Sequence, residues 1–293
     1  MKSEIQKHYN RIRYVLIIVL ALNWLVASAK IFYGFLSKCE SMAADGFHSL
    51  ADGASNIIGL IGIHFACQPI DKDHPYGHKK YETFFALGIA AMLFIVAFNL
   101  AKEGVTHLFI PSAKPVVDLK SFIVMLATMG INIWVMNYER REGKKLQSDI
   151  LISDAMHTNA DIFTSASVII ALIVIKLGYP ILDPIATVLI SLFIAHAGYD
   201  IIKQSSNVLC DTVALDVRKI ESIVLEVKGV KACHKIRSRG RPDDIHIDLH
   251  VQVNPDMHVD NAHRISYAIE EAIKKGIPEI TDVVVHIEPK EKI

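Results

Sequence analysis

Asp45-Gly-Phe-His48-Ser-Leu-Ala-Asp52 and Asp154-Ala-Met-His157-Thr-Asn-Ala-Asp161 share the pattern DxxHxxAD, so one phrase occurs twice in a single chain. In each copy the His and the Asp are four apart, which on a helix puts both side chains on one face, about 5–6 Å apart at Cβ. Around the phrases the chain is apolar. Of 293 residues 52% are hydrophobic and 21% charged, and the mean hydropathy is +0.33, which predicts a membrane protein rather than an ordinary soluble domain. Apolar runs long enough to cross a bilayer stand near 13 to 36, 82 to 109, 117 to 138, 157 to 177 and 181 to 203. The stretch 41 to 66 is less apolar but equally long, and the first phrase lies in it. It is read as a sixth membrane helix. A charge facing lipid costs at least ~2.5 kcal/mol, so its polar face must turn to the bundle interior or a wet cavity.

Three crossings separate the two phrases, which makes their helices antiparallel to each other. Inverted repeats that bind an ion at their interface are a recurrent transporter design. Two such faces opposed offer the imidazoles of His48 and His157 and the carboxylates of Asp52 and Asp161. That set suits a tetrahedral Zn²⁺, and two ionised carboxylates balance its charge away from water. One isolated His or Asp in a membrane helix is as readily an interhelical hydrogen bond. Two pairs in matching register favour the metal. Asp45 and Asp154, one turn before their histidines, are read as capping, solvated-mouth or proton-path residues, and Ser49 and Ser165 as packing residues.

Basic residues set the orientation. Lys2, Lys7, Arg11 and Arg13 precede the first helix, Lys72, Lys79 and Lys80 lie between helices two and three, and Arg140, Arg141, Lys144 and Lys145 between four and five. The alternate loops carry Lys38, then Lys114 and Lys120, then none. Both termini are therefore expected in the cytoplasm, with the first helix retained in the inner (plasma) membrane. The 31 basic and 31 acidic residues balance, so no nucleic-acid partner is indicated. Cys39, Cys67, Cys210 and Cys233 show no CxxC spacing, against a zinc ribbon or a disulfide framework.

After Gln204 a soluble pattern begins, which divides the chain into a membrane domain, 1–207, and a C-terminal domain, 208–293. Helix 216 to 227, strands near 231 to 239 and 244 to 253, helix 259 to 275 and strand 282 to 287 give the order αββαβ. A small antiparallel sheet with helices on one face, a ferredoxin-like α+β arrangement, is expected.

Two further clusters hold metal-ligating types. In Asp71-Lys-Asp73-His74-Pro-Tyr-Gly-His78 the Pro-Tyr-Gly turn folds the loop back, so Asp71, His74 and His78 either converge on a metal or form a solvated polar turn. The C-terminal domain holds His234, His246, His250, His258, His263 and His286. His246 and His250 share one strand face, as do His286 and Glu288. A metal site and a set of surface histidines are both compatible with that spacing. Cys233 adjoins His234 and stays open as a ligand.

With its six helices, two His/Asp pairs, DHPYGHKKYE segment and His-rich C-terminal domain, the chain resembles the cation diffusion facilitator family, in its zinc–proton antiporter type. The resemblance implies a transport site of His48, Asp52, His157 and Asp161 and a loop site of Asp71, His74 and His78. It also implies a cytoplasmic dinuclear site involving His234, His250, His263, His286 and Glu288, and a homodimer interlocked by Lys80 and Asp211. Some relatives carry Asp in place of His48 or of Glu288. Zn²⁺ is then transported substrate and a structural or regulatory ligand. The absence of GxxxxGK[ST] leaves an ion gradient as the energy source, and the absence of HExxH speaks against the alternative of an intramembrane metallohydrolase. A membrane metal sensor, or a carrier selective for Fe²⁺, Mn²⁺, Co²⁺ or Cd²⁺, stays open.

Overall fold

The computed structural model describes residues 2–36, 40–109, 119–176 and 182–290; the side chains of several helical residues, those of His48 and Asp52 included, lie outside the described residues. Contacts divide the chain between Ser205 and Ser206 into two compact units.

The first unit is six long helices: α1 (Lys2–Leu36), α2 (Glu40–Ala66), α3 (Lys80–Phe109), α4 (Leu119–Leu146), α5 (Asp149–Lys176) and α6 (Leu182–Leu209), whose last turn passes into the second unit. Two carry windows long and apolar enough to cross a membrane among the described residues, Lys7–Phe32 and Lys80–Phe109. Several helices outrun the apolar stretches that announce them. α4 continues to Leu146 through Glu-Arg-Arg-Glu-Gly-Lys-Lys, and α5 begins at Asp149, eight residues before the expected start at 157. Hydropathy marks only hydrocarbon, whereas Glu, Arg and Lys are good helix formers that carry a helix on into water.

The interior of this unit is built from one side of each helix. Tyr9, Ile12 and Leu16 of α1 pack with Ile63 of α2, Ile89 of α3, Val135 of α4 and Ile150 of α5. α3 also turns Ala86, Ala90 and Leu93 toward Ala160 of α5 and Ile194 and Ile201 of α6. Its opposite side is just as apolar, with Phe84, Ile95 and Phe98 exposed. A helix apolar all round is suited to lipid on its outer face. Small residues bring α2 against α5: a Cβ on Gly59 would lie 2.8 Å from Ile150 Cγ2, and one on Gly62 would lie 2.7 Å from Ile150 Cδ1. The two helices that carry the repeated phrase can approach because these positions have no side chain.

The second unit comprises α7 (Val217–Leu225), β1 (Ala232–Arg241), β2 (Asp244–Val253), α8 (Val259–Gly276) and β3 (Ile280–Pro289), in the expected order. Asp216 caps α7 by accepting from the Arg218 N–H, and His258 caps α8 by accepting from that of Asp260. Strict alternation buries Ile245, Ile247, Leu249, Val251 and Val253 of β2 against Ile220 and Val224 of α7 and Ile269 and Ile273 of α8. The expectation of an antiparallel sheet needs correction. β1 pairs antiparallel with β2, but β2 pairs parallel with β3. α8 connects β2 to β3 and spans the length of the sheet, so the chain re-enters β3 in the direction in which it ran through β2.

The β1–β2 turn depends on Gly240, whose φ of +113° would place a Cβ 2.2 Å from the Asp244 carbonyl oxygen. Gly240→Ala is expected to lower the stability of an isolated 206–293 fragment by roughly 1–3 kcal/mol, read as a lower urea midpoint with unchanged slope.

Candidate functional site

The loop between α2 and α3 gathers its three predicted ligands. Asp71 closes a turn by accepting from the backbone N–H groups of Asp73 at 3.0 Å and His74 at 2.6 Å. Gly77, at φ +88°, donates its N–H to the His74 carbonyl at 3.0 Å and folds the strip back on itself. His74 Nδ1 then lies 3.2 Å from Asp71 Oδ1, His78 Nε2 lies 3.3 Å from Asp71 Oδ2, and the ring centroids are 4.3 Å apart. One donor atom from each of the three falls within 4.8 Å of the others. The backbone hydrogen bond from His74, aided by the His74 and His78 rings, holds the Asp71 carboxyl below its ordinary range, so the group is an anion ready to meet a cation.

In the second unit His234, His250 and His286 form a single rung across the sheet: His234 pairs with His250, and His250 with His286. Glu288 is two residues beyond His286 on the same face, 2.6 Å from His250 Nδ1 and 3.1 Å from His234 Nε2. A bulge lifts His234 into place. Lys235 has φ +49°, and the pairing skips one residue between His234 and Arg237, the local bend that re-aims a side chain. His234, His250 and Glu288 offer donor atoms within 4.8 Å of one another, a spread that a tetrahedral ion with bonds of about 2.0–2.2 Å can draw in. His286 stands beside them, Nε2 3.8 Å from Glu288 Oε1, and is largely exposed.

The other C-terminal residues go elsewhere. His263 lies on α8, edge-on to Tyr267 at 4.7 Å, and among the described residues it is not in the cluster. His258 is a helix cap. His246 stands with Asp244 and Asp282 at 3.6 and 3.8 Å. Cys233 packs against the core, and burial pushes its thiol up to about 11.

Within the helical unit, α5 presents its copy of the phrase to the interior: Asp154 and His157 are buried and Asp161 half-buried. Asp161 and Thr158 of α5 line a small cavity together with Asn23 and Val26 of α1, Ser49 of α2 and Asn132 of α4. Ser49 directly follows His48, so both copies of the phrase reach the same cavity. Ser165 is half-buried on α5, whereas Ser49, read as a packing residue, accepts from Lys30 Nζ at 2.9 Å. Lys30 is 3% exposed, and nothing in the sequence reading attached it to the site. Its signal was a single cation inside an otherwise apolar run. Lys80 opens α3 and Asp211, at φ +55°, follows α6; the two belong to separate units.

Residues 16–210 match the model of the cation efflux transmembrane domain, and residues 214–290 that of the cation efflux protein cytoplasmic domain. The chain belongs to the cation efflux family and is a membrane protein with a cytoplasmic C-terminal domain. Among its relatives, metal tolerance protein C1 of Arabidopsis thaliana is 31% identical over 89% of this chain, which spans 59% of that protein's length. An uncharacterised transporter of Methanocaldococcus jannaschii is 30% identical over 93% of this chain and 96% of its own length. The manganese efflux system protein MneS of Bacillus subtilis is 26% identical over 92% of this chain and 93% of its own.

Glu288 provides a pH test. Its hydrogen bond to His250, with the charges of His250, His234 and Lys235, holds its carboxyl below 4.5. A lowered folded-state pKa contributes stability above the unfolded value that is lost as pH falls through the folded one. The stability difference between the metal-free fragment and its Glu288→Gln variant is therefore expected to be full near neutrality and to vanish on acidification below the ordinary glutamate range. Urea unfolding across pH measures it, and a pH-independent difference would remove the His250–Glu288 contact from the account.

Proposed function

We propose that this protein exports divalent metal, Zn²⁺ foremost, from the cytoplasm in exchange for protons, through a His₂Asp₂ site of His48, Asp52, His157 and Asp161. The observation that carries the reading is the cavity to which α5 contributes Asp161 and α2 contributes Ser49, the neighbour of His48. Two nitrogen and two oxygen donors suit Zn²⁺, and two carboxylates cancel its charge where water is excluded. Metal binds neutral imidazole, so protons compete for the same groups. Once metal leaves, protons restore neutrality, and exchange follows if the bundle rocks about a fixed site.

The loop site of Asp71, His74 and His78 and the sheet site of His234, His250 and Glu288, with His286 at its edge, are proposed as structural or regulatory metal sites. His263 is a ligand in this reading only if a second chain brings it to the sheet, consistent with a homodimer tied by Lys80 and Asp211. The inner membrane, with both termini cytoplasmic, is the location the basic loops favour. A second reading is Mn²⁺ efflux, favoured by the likeness to MneS. It demands harder ligands than two imidazoles.

His157→Ala and Asp161→Ala are each expected to reduce metal uptake by proteoliposomes to the protein-free background while leaving a folded, dimeric protein. In wild type, uptake tested with Zn²⁺, Mn²⁺, Cd²⁺, Co²⁺ and Fe²⁺ under an imposed pH gradient should favour Zn²⁺. Apparent affinity should fall as pH drops through the range where imidazole ordinarily protonates, about 6.5. Flux indifferent to pH on both faces would replace antiport by a uniporter or channel.

A further inference from the structure

Next to the cavity lie two carboxyl groups that the metal site does not use. Glu139 of α4 and Asp154 of α5 are both fully buried, and the Thr158 hydroxyl that serves Glu139 also lies 3.2 Å from the Asp154 backbone carbonyl oxygen, so the two residues stand next to each other. Each has one oxygen served by a neighbour: Thr158 Oγ1 donates to Glu139 Oε2 at 3.1 Å, and the Asn56 amide donates to Asp154 Oδ2. The remaining oxygens, Glu139 Oε1 and Asp154 Oδ1, meet no donor among the described residues. Two ionised carboxylates have only acceptors to show one another, and burial side by side in an apolar bundle forbids both charges. One proton held between them removes the conflict, as in other carboxyl dyads.

The pair is wired to the cavity at both ends. Thr158, the donor to Glu139, lines it, and so does Asn23, which donates to Asn56 Oδ1 at 3.1 Å. The charges that act most on Glu139 are Asp154 and Asp161, both negative; from α1 and α2 come the neutral amides of Asn23 and Asn56, while Lys30 of α1 is engaged with Ser49. On α5, His157 lies between Asp154 and Asp161.

We propose that Glu139 and Asp154 form a proton-holding carboxyl pair that releases its proton when a divalent metal ion binds in the adjacent cavity. This rests on the reading of that cavity as the transport site. A divalent ion at Asp161 turns the field at the pair from negative to positive, which disfavours the proton. The carboxyl O–H bond breaks, the bonding electrons stay on the oxygen, and the proton passes by the Thr158 hydroxyl to water in the cavity. By reciprocity the retained proton weakens metal binding by the same factor. The pair thus adds one proton to those displaced from the ligands themselves.

The test uses the full-length protein in detergent. Protons released per Zn²⁺ bound are counted in weak buffer for wild type and Glu139→Gln, whose amide can neither hold nor release an acidic proton. The variant is expected to bind Zn²⁺ with unchanged stoichiometry while releasing about one proton fewer per ion at the transport site. Infrared difference spectra of wild type should show a protonated-carboxyl band lost on Zn²⁺ addition. Wild-type release matched by the variant overturns this inference and leaves antiport standing; wild-type release of none overturns both. Loss of one bound Zn²⁺ in the variant would make the pair a cation station and equally overturn the proposal. If the variant does not fold, the wild-type infrared measurement decides, because a spectrum with no such band lost contradicts it.

Discussion

Charge buried in an apolar bundle must find a partner, and the helical unit is arranged around that constraint. Glu82, Glu139, Asp149 and Asp154 are all at most 5% exposed, and each takes its hydrogen bonds from another helix or helix end. Glu82 of α3 accepts from the Ser148 hydroxyl and lies 3.5 Å from the Ile150 N–H at the start of α5, where a helix welcomes an anion. Asp149 accepts from Thr83 of α3 at 2.7 Å and Gln204 of α6 at 3.3 Å. These bonds clamp the N-terminal end of α5 and set its height and rotation in the bundle. His157 and Asp161 lie two to three turns further along the same helix, so their position follows from a clamp remote from the cavity. Removing one of these hydroxyl or amide donors leaves a buried acceptor unsatisfied, at a cost of about 1–3 kcal/mol or more.

The same constraint explains why the α2–α5 contact is made by glycine. Polar groups of two helices can serve one cavity only if the backbones lie close, and Gly59 and Gly62 against Ile150 allow it. Lys30 extends the logic: buried on α1, it donates to Ser49, a residue that lines the cavity together with Asp161.

The cytoplasmic unit works with different physics. Its core is formed by alternate residues of β2 under two amphipathic helices, and the opposite face of the sheet is left for His234, His250, His286 and Glu288. The metal-ligating types here are partly exposed and exchange hydrogen bonds among themselves. A metal would replace these contacts without opening the core. The core face and the His/Glu face are thus separate, so contacts on one do not disturb the packing of the other.

Much of this was present in the order of residues. The doubled DxxHxxAD phrase, the i,i+4 spacing, the apolar runs and the period-2 alternation of β2 are local properties, so they could be read without the fold. The convergence of Asp71, His74 and His78 was half legible, because a Pro-Tyr-Gly turn announces the reversal but not the approach of His78 to Asp71. Only the tertiary structure decided the rest. The parallel pairing of β3 depends on where α8 delivers the chain, and the rung of three histidines follows from that register and from the bulge at Lys235. Glu139 falls beyond the apolar run and reads as a loop charge. It becomes a buried partner of Asp154 because α4 keeps its helix past the hydrocarbon and packs against α5. The separate place of His263 likewise follows from its position on a helix packed across the sheet. Patterns along the chain determine which residues share a face; which faces meet is set by packing, and burial then decides which charges must be paired.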